Sequence, residues 1–295
     1  MTRRRTAAAW VGLLVLVAGQ ARRHHHKAAR RASAHDVRAA ALDGALAGAQ
    51  SDRADDRPLL AVVMAAYNEA GSIGPLLASL PEQVCGLGVC PVVVDDGSTD
   101  QTAELAREAG SVVGTHRSNL GQGDALRTGF AMAQRLDARV VVTMDADGQH
   151  DPSELPALVG PIVAGDADYV QGSRFLGTYD DAGGARDLGI RGFTQLIRLL
   201  TGTEITDCTN GFRAIDGAAL RRMRLVEDRF SASEILIQAA GLGLRIREVP
   251  VHIRSREVGT SKKPRGLRYA SGFLGAIIRS WARARDPRSG ARETA

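Results

Sequence analysis

The stretch Val140-Val-Val-Thr-Met-Asp-Ala-Asp-Gly-Gln-His-Asp151 decides how the chain is read. An apolar run, 140–144, stops abruptly at Asp145 and Asp147. Such a run predicts a buried strand, and acidic residues at its end sit at the lip of a sheet, where open α/β folds place their ligands. In an extended backbone, residues two apart point the same way. Asp145 and Asp147 are therefore expected on one face, with Ala146 turned away and Gln149 continuing the spacing. Two carboxylates and an amide oxygen make a hard oxygen set, suited to Mg²⁺ or Mn²⁺ carrying a diphosphate. A calcium loop would need Gly at its sixth position and Glu at its twelfth. Counting from Asp145, those places hold His150 and Pro156, so that rival fails.

Working outward, the folded part is expected to begin near Pro58. Residues 59–66 read as a strand, followed by Tyr67-Asn-Glu-Ala70 and a helix over 72–80. The next strand, 89–94, ends in Asp95-Asp-Gly-Ser-Thr-Asp100, whose Gly and capping residues open a helix through 109. A short strand at 112–113, a helix ending near 136 and the strand at 140–144 follow. Strands alternating with helices predict an α/β fold with a mostly parallel central sheet and helices on both faces. Beyond Asp151, Ser153 is expected to cap a helix to 164. A strand over 168–170 enters Gln171-Gly-Ser-Arg-Phe175, and a polar, Gly-rich loop is expected over 177–189. Helices over 192–200 and 231–240 and an alternating strand over 244–253 complete the domain, 58–254.

Two nucleotide-binding rivals are absent. The first strand is not followed by Gly-x-Gly-x-x-Gly, and no Gly-x-x-x-x-Gly-Lys-Ser/Thr occurs. The net charge of +5 conceals an uneven distribution. Residues 1–57 hold 11 Lys and Arg against 5 Asp and Glu, and residues 252–295 hold 11 against 3, which leaves the middle with 16 against 25. An acidic middle with basic ends points to an anionic surface such as a bilayer, not to nucleic acid. Aromatic content is only 4%, so no base-stacking platform is visible. Cys85, Cys90 and Cys208 are odd in number and match no zinc or redox spacing, which suggests reduced thiols.

The extension over 1–57 is Ala- and Arg-rich, and its apolar run over 7–19 is too short to span a bilayer. It is expected to be disordered or weakly membrane-associated. In the basic tail, 255–295, a helix over 267–285 puts Ala270, Phe273, Leu274, Ile277, Ile278 and Trp281 on one stripe, with Arg268, Arg279 and Arg283 largely opposite. Such a helix either lies in a membrane interface or packs on the domain.

Taken together, these segments resemble glycosyltransferase family 2, of the GT-A fold, in its dolichyl- or polyprenyl-phosphate sugar synthase branch. The matching pieces are Ala-Tyr-Asn-Glu-Ala at 66–70, Val-Asp-Asp-Gly-Ser-Thr-Asp at 94–100, Asn-Leu-Gly-Gln-Gly-Asp-Ala at 119–125 with Arg127-Thr-Gly-Phe130, and Asp-Ala-Asp-Gly-Gln-His at 145–150. Gly-Ser-Arg-Phe at 172–175, Asn-Gly-Phe-Arg at 210–213 and Arg256-x-x-Gly-Thr-Ser-Lys262 complete them. Each alone is weak, but in this order they are highly specific. The chain departs from the pattern at Ala65, usually Pro, at Gln122, where Lys is common, and at Asn210, usually Ser.

The resemblance implies an inverting hexosyltransferase that uses a GDP-mannose- or UDP-glucose-type donor and a polyprenyl phosphate acceptor. Ala66, Tyr67, Glu69 and Asp95 would line the base and ribose, with Asp96, Asn119, Gly121 and Asp145 nearby. Asp145, Asp147 and Gln149 would hold Mg²⁺ or Mn²⁺ against the diphosphate. Arg174 is the first choice for the acceptor phosphate, with Arg191, Arg213 and Lys262 as further candidates. Asp207 is a candidate base or positioning carboxylate, with a capping or ion-paired residue as the alternative. The expected location is cytoplasmic, peripheral at the inner face of the cell membrane, on an anionic surface or with a membrane partner protein. Two alternatives stand beside this: a transferase of the same fold with a non-lipid acceptor, and a non-catalytic nucleotide- or membrane-binding scaffold.

Overall fold

The computed structural model describes residues 58–180, 184–255 and 267–285. The extension over 1–57 and Lys262, with its motif, lie outside the described residues. The elements in order are β1 (Leu59–Ala66), α1 (Ile73–Ala78), β2 (Gln83–Val84), β3 (Leu87–Asp95), α2 (Thr102–Glu108), β4 (Val112–Thr115), α3 (Gln122–Arg135) and β5 (Val140–Thr143). Then come α4 (Leu155–Val163), β6 (Tyr169–Tyr179), α5 (Ala185–Thr201), β7 (Arg213–Asp216), α6 (Gly217–Arg221), α7 (Ser231–Gly241), β8 (Ile246–Ile253) and α8 (Leu267–Ala284).

They build one mixed sheet in the order β2-β3-β1-β5-β7-β6-β8, with β4 also on β3. The expected parallel arrangement holds for β1, β3, β4 and β5. It breaks at β7, a strand the sequence reading missed, which runs antiparallel to both β5 and β6. β8 then pairs with β6 in parallel. The sheet is buried on both sides, as the alternation in β1 shows. Leu60, Val62 and Met64 face a layer made with α1, α2 and α4. Ala61 and Val63 face the layer made with α3, α5, α7 and α8. With both faces covered, the central strands read as continuous apolar runs.

Two local expectations are corrected, and one open alternative is decided. The turn after Asp151 is capped by Asp151 itself, whose carboxylate accepts from Ser153 N–H at 2.9 Å, and a 3₁₀ turn over Pro152–Glu154 precedes α4. The polar loop expected over 177–189 is largely regular, because β6 runs on to Tyr179 and α5 starts at Ala185. After an irregularity, Thr178 and Tyr179 pair with His252 and Ile253 of β8. Finally, α8 packs on the domain. Phe273, Ala276, Ile277 and Ser280 are buried, whereas Leu274 and Ile278 stay exposed. Among the described residues, no helix is long and apolar enough to cross a membrane.

Gly177 marks how tightly β6 and β8 approach: a Cβ there would lie 2.2 Å from the carbonyl oxygen of Val251. Gly177→Ala must push the two strands apart, and a loss of about 1–3 kcal/mol is expected from overpacking of this kind. Urea denaturation measures it; an unchanged midpoint would show that the strands separate without cost.

Candidate active site

The first corner of the site forms where β1 and β3 end together, with Ala66 in register with Asp95. The loops that leave them are stitched to each other. Asn68 N–H donates to Ser98 Oγ (2.9 Å), Thr99 N–H to Asn68 Oδ1 (2.8 Å) and Glu69 N–H to Thr102 Oγ1 (2.9 Å). The buried Asp95 carboxylate closes its own turn by accepting from Ser98 N–H at 3.0 Å. Ala66, Tyr67, Glu69 and Asp95 are thus brought to one edge.

Asp96 has a different task from its neighbour. Its carboxylate accepts from Leu120 N–H (2.9 Å) and Gly121 N–H (2.7 Å), and lies 2.7 Å from His116 Nδ1. His116 continues to Thr128 Oγ1 at 3.0 Å. Asp96 therefore fixes the loop that carries Asn119 and Gly121 against the first corner. His116 was not anticipated; a lone His after a short strand carries no signal of its own.

Strand alternation is not what holds Asp145 and Asp147. β5 ends at Thr143, and the chain turns over 146–147. The loop is pinned instead by His150. The backbone N–H of Asp145 donates to His150 Nδ1 at 3.1 Å, which leaves the proton on Nε2. Nε2–H donates to Asn210 Oδ1 (3.1 Å), which also accepts from Phe212 N–H (3.1 Å), while Asn210 Nδ2 donates to Gly172 O (2.9 Å). The ring stacks on Phe212 with centroids 4.8 Å apart. Burial lowers the His150 pKa, against the opposing pull of Asp145 and Asp147, so the imidazole stays neutral. Gln149 ties the same loop to the end of β8, its Nε2 donating to Arg254 O at 2.9 Å. Asp151 pairs with the Arg254 guanidinium. Gln122 Nε2 donates to Asp145 Oδ1 at 3.1 Å, so the residue that departs from the family's Lys is spent on the acidic motif.

The cationic side of the site is Arg174. Its Nε donates to Asp207 Oδ2 at 2.6 Å and its Nη2 to Thr209 Oγ1 at 3.2 Å. Asp207 is 0% exposed and also accepts from Thr209 N–H (3.0 Å), so it does not face the cleft. It is a positioning residue for Arg174, which corrects its candidacy as a base. Behind it, Glu248 accepts from Thr206 N–H (2.7 Å) and Asp207 N–H (3.0 Å). Burial holds the Glu248 carboxyl above its usual range despite those bonds. Arg213 is buried, its guanidinium donates to the carbonyls of Asn210 and Ala232, and it forms part of the wall of a hollow that Asp145 also lines. Arg191 lies over the Phe175 ring at 4.4 Å. One cleft is lined by Asp145, Gln149, His150, Arg174, Tyr179 and Arg254, among others. Asp145 also lines an adjoining hollow whose walls include Thr143, Phe230, Ser231 and Phe273. The sequence reading missed Arg254, Tyr179 and Asn210 as parts of this site.

The donor set suits a hard divalent cation that brings its own ligands. Among the described residues, no group of three or more His, Cys, Asp or Glu forms a closed protein cage. Asp145 and Asp147 would supply carboxylate oxygens and Gln149 its amide oxygen, an all-oxygen set of the kind Mg²⁺ takes, with substrate phosphates completing the shell.

The family model "Glycosyl transferase family 2" matches residues 61–227, which include Asp95, Asp96, Asp145, Asp147 and Arg174. The chain belongs to that family. It is a glycosyltransferase. It is 35% identical over 229 residues to the polyprenol monophosphomannose synthase of Mycolicibacterium smegmatis, covering 73% of this chain and 85% of that one. It is 34% identical over 205 residues to the dolichyl-phosphate hexose transferase of Haloferax volcanii, covering 70% and 87%. Among solved structures, glucosyl-3-phosphoglycerate synthase from Mycobacterium tuberculosis, in complex with Mn²⁺, UDP and glucosyl-3-phosphoglycerate, shares the fold. The TM-score is 0.60 at 23% identity, over 82% of this chain and 83% of that one.

In this glycosyltransferase the Asp96 clamp is testable by itself. Asp96→Asn replaces one acceptor oxygen with an amide that repels the loop N–H it faced. A loss of about 1–3 kcal/mol in folding stability is expected from the unsatisfied buried group. Urea melts read it directly, and wild-type stability would show that the carboxylate does not hold the loop.

Proposed function

We propose that this glycosyltransferase moves a hexose, with inversion, from a nucleotide sugar to a polyprenyl phosphate. The observation that carries the reading is the sharing of one cleft by an acidic and a cationic group. Asp145 and Arg174, the latter held by the buried Asp207, both line it. The names of the relatives support a lipid-phosphate acceptor and a hexosyl donor.

The chemistry asks little of the protein as a base. The lipid phosphate is already anionic near neutral pH, so its oxygen attacks the anomeric carbon without prior proton removal. The bond from that carbon to the nucleoside diphosphate breaks as the new one forms, on the opposite face. Mg²⁺ or Mn²⁺ held by Asp145 and Asp147 would supply Lewis-acid stabilisation of the leaving diphosphate. Ala66, Tyr67, Glu69 and Asp95 would line the nucleoside, and the Asp96 clamp would set Asn119 and Gly121 beside it. Arg174 would hold the acceptor phosphate, since a guanidinium matches its oxygens in a fixed fork. Its ion pair with Asp207 keeps that fork from collapsing onto the acidic motif.

The test is a transfer assay with purified protein, Mn²⁺ or Mg²⁺, and a panel of GDP- and UDP-sugars, with and without a short polyprenyl phosphate. One donor is expected to give an organic-extractable, acid-labile product. Asp147→Ala is expected to abolish metal-dependent turnover, and Arg174→Met to lower it by roughly 10²-fold, the scale of a lost charge-stabilising contact. Donor turnover that ignores the lipid phosphate would move the acceptor to a soluble molecule. Donor binding without any turnover would favour a silent scaffold.

An anionic membrane surface at the cytoplasmic face fits the same reading. The exposed side of α5 carries Leu188 (73% exposed) and Leu199 (76%) with Arg191 and Arg198. Apolar contacts between cations suit a headgroup boundary. The double change Leu188→Gln and Leu199→Gln is expected to reduce co-flotation with vesicles containing phosphatidylglycerol. Equal flotation of variant and wild type would remove α5 from the membrane contact.

A further inference from the structure

The C-terminal helix reaches the acidic motif through a short strap, residues 226–230. This strap forms the back wall of the first turn of α3. Gly123 N–H donates to Asp228 O at 3.1 Å. A Cβ on Gly123 would lie 2.2 Å from Glu227 O, so the two backbones are in direct contact. Arg127, one turn on, grips the strap from the side. Its Nη1 donates to Glu227 O (2.9 Å), and its Nη2 reaches Asp228 Oδ1 (3.1 Å) and Asp124 Oδ1 (2.6 Å). The same first turn carries Gln122, bonded to Asp145. Where the strap sits therefore decides where Gln122 sits.

The strap is in turn held by α7 and α8. Glu234 of α7 accepts from Val226 N–H and Glu227 N–H, each at 2.9 Å. The Glu227 carboxylate is gripped by α8. Arg279 donates twice, from Nε (3.1 Å) and Nη2 (2.8 Å), and Arg283 Nη2 donates at 2.9 Å while also reaching Glu234 at 2.8 Å. At the far end of the strap, Phe230 is in the left-handed region at φ 64°, which is costly for an aromatic residue. It is stacked on Phe273 of α8, with centroids 4.8 Å apart, and it walls the hollow beside Asp145. The apolar side of α8 would suffice to dock a helix. Two guanidiniums converging on one half-buried carboxylate in the strap do something more specific: they fix its position along the helix.

We propose that Arg279, Arg283 and Glu227 are positioning residues for the donor site, acting through the strap and the start of α3 on Gln122 and Asp145. The C-terminal helix is then part of the apparatus that sets nucleotide affinity, beyond its packing role. The proposal rests on the reading of Asp145 as a donor-site carboxylate.

The test is calorimetric titration of the full chain with UDP, and separately GDP, in the presence of Mn²⁺. The variants are Arg279→Met with Arg283→Met, the same pair changed to Lys, Ile277→Val and Asp145→Asn. Ile277 is buried on α8 away from the ion pairs, so its variant reports loss of packing alone. The Met pair is expected to weaken binding roughly tenfold, within the usual range of coupling between sites. The Lys pair should recover part of that loss. Ile277→Val should lower the melting temperature and leave affinity within about twofold. Unchanged affinity in the Met pair, with affinity lost in Asp145→Asn, overturns the proposal and keeps the donor site. Unchanged affinity in Asp145→Asn overturns the donor-site reading itself. If the Met pair does not fold, Arg279→Met alone, which leaves Arg283 on both carboxylates, is read in the same way.

Discussion

One imidazole holds the two halves of the sheet in a single site. His150 takes the Asp145 N–H on one nitrogen and gives its proton to Asn210 on the other, and Asn210 reaches β6 through Gly172 O. The parallel half, which ends in Asp145, is thereby registered against the half that carries Arg174. Each donor in this path faces an acceptor, which fixes the tautomer of the His and the orientation of the Asn amide. A buried polar chain of this kind is favourable only when fully satisfied. That condition makes it a device for alignment more than for stability.

Carboxylates do most of the aligning elsewhere. Asp96 orders the 119–121 loop, Asp207 aims Arg174, Glu248 holds the backbone that carries Asp207, and Glu227 and Glu234 anchor the strap. Most of these acids are buried and bonded to N–H groups, so their charge is spent within the fold. The charged side chains that line the cleft are few: Asp145 and Asp187, with Arg174 and Arg254. Arg174 and Arg254 are each aimed by a carboxylate outside that set, Asp207 and Asp151.

The parallel half of this fold was legible in the sequence because each of its strands is a continuous apolar run ending in a polar motif, as β1 and β5 show. In the other half β6 and β8 were read as strands, but β7 between β5 and β6 was not. β7 has only four residues, opens with Arg213 and closes with Asp216, and carries no alternation to read. Missing it hid the antiparallel join between β5 and β6, and left Arg213 to be read as a phosphate contact when its partners are the carbonyls of Asn210 and Ala232. Asp145, Asp147 and Arg174 were recognisable from local motifs. Their supports were not: Asp207 lies 33 residues from Arg174 and Glu227 lies 52 from Arg279, and no local pattern encodes such pairings. The helical stripe of α8 was read correctly as amphipathic. Which surface it would meet was decided by Glu227 and the aromatic cluster of Phe193, Phe230 and Phe273.

The central claim is that Asp145 and Asp147 hold a divalent cation together with a nucleoside diphosphate. Electron paramagnetic resonance of Mn²⁺ titrated with the full chain and UDP or GDP tests it most directly. The account predicts a loss of the aqueous Mn²⁺ signal, beyond that caused by nucleotide alone, which needs both protein and nucleotide and disappears in Asp145→Asn. Mn²⁺ binding of equal strength in wild type and Asp145→Asn would contradict it.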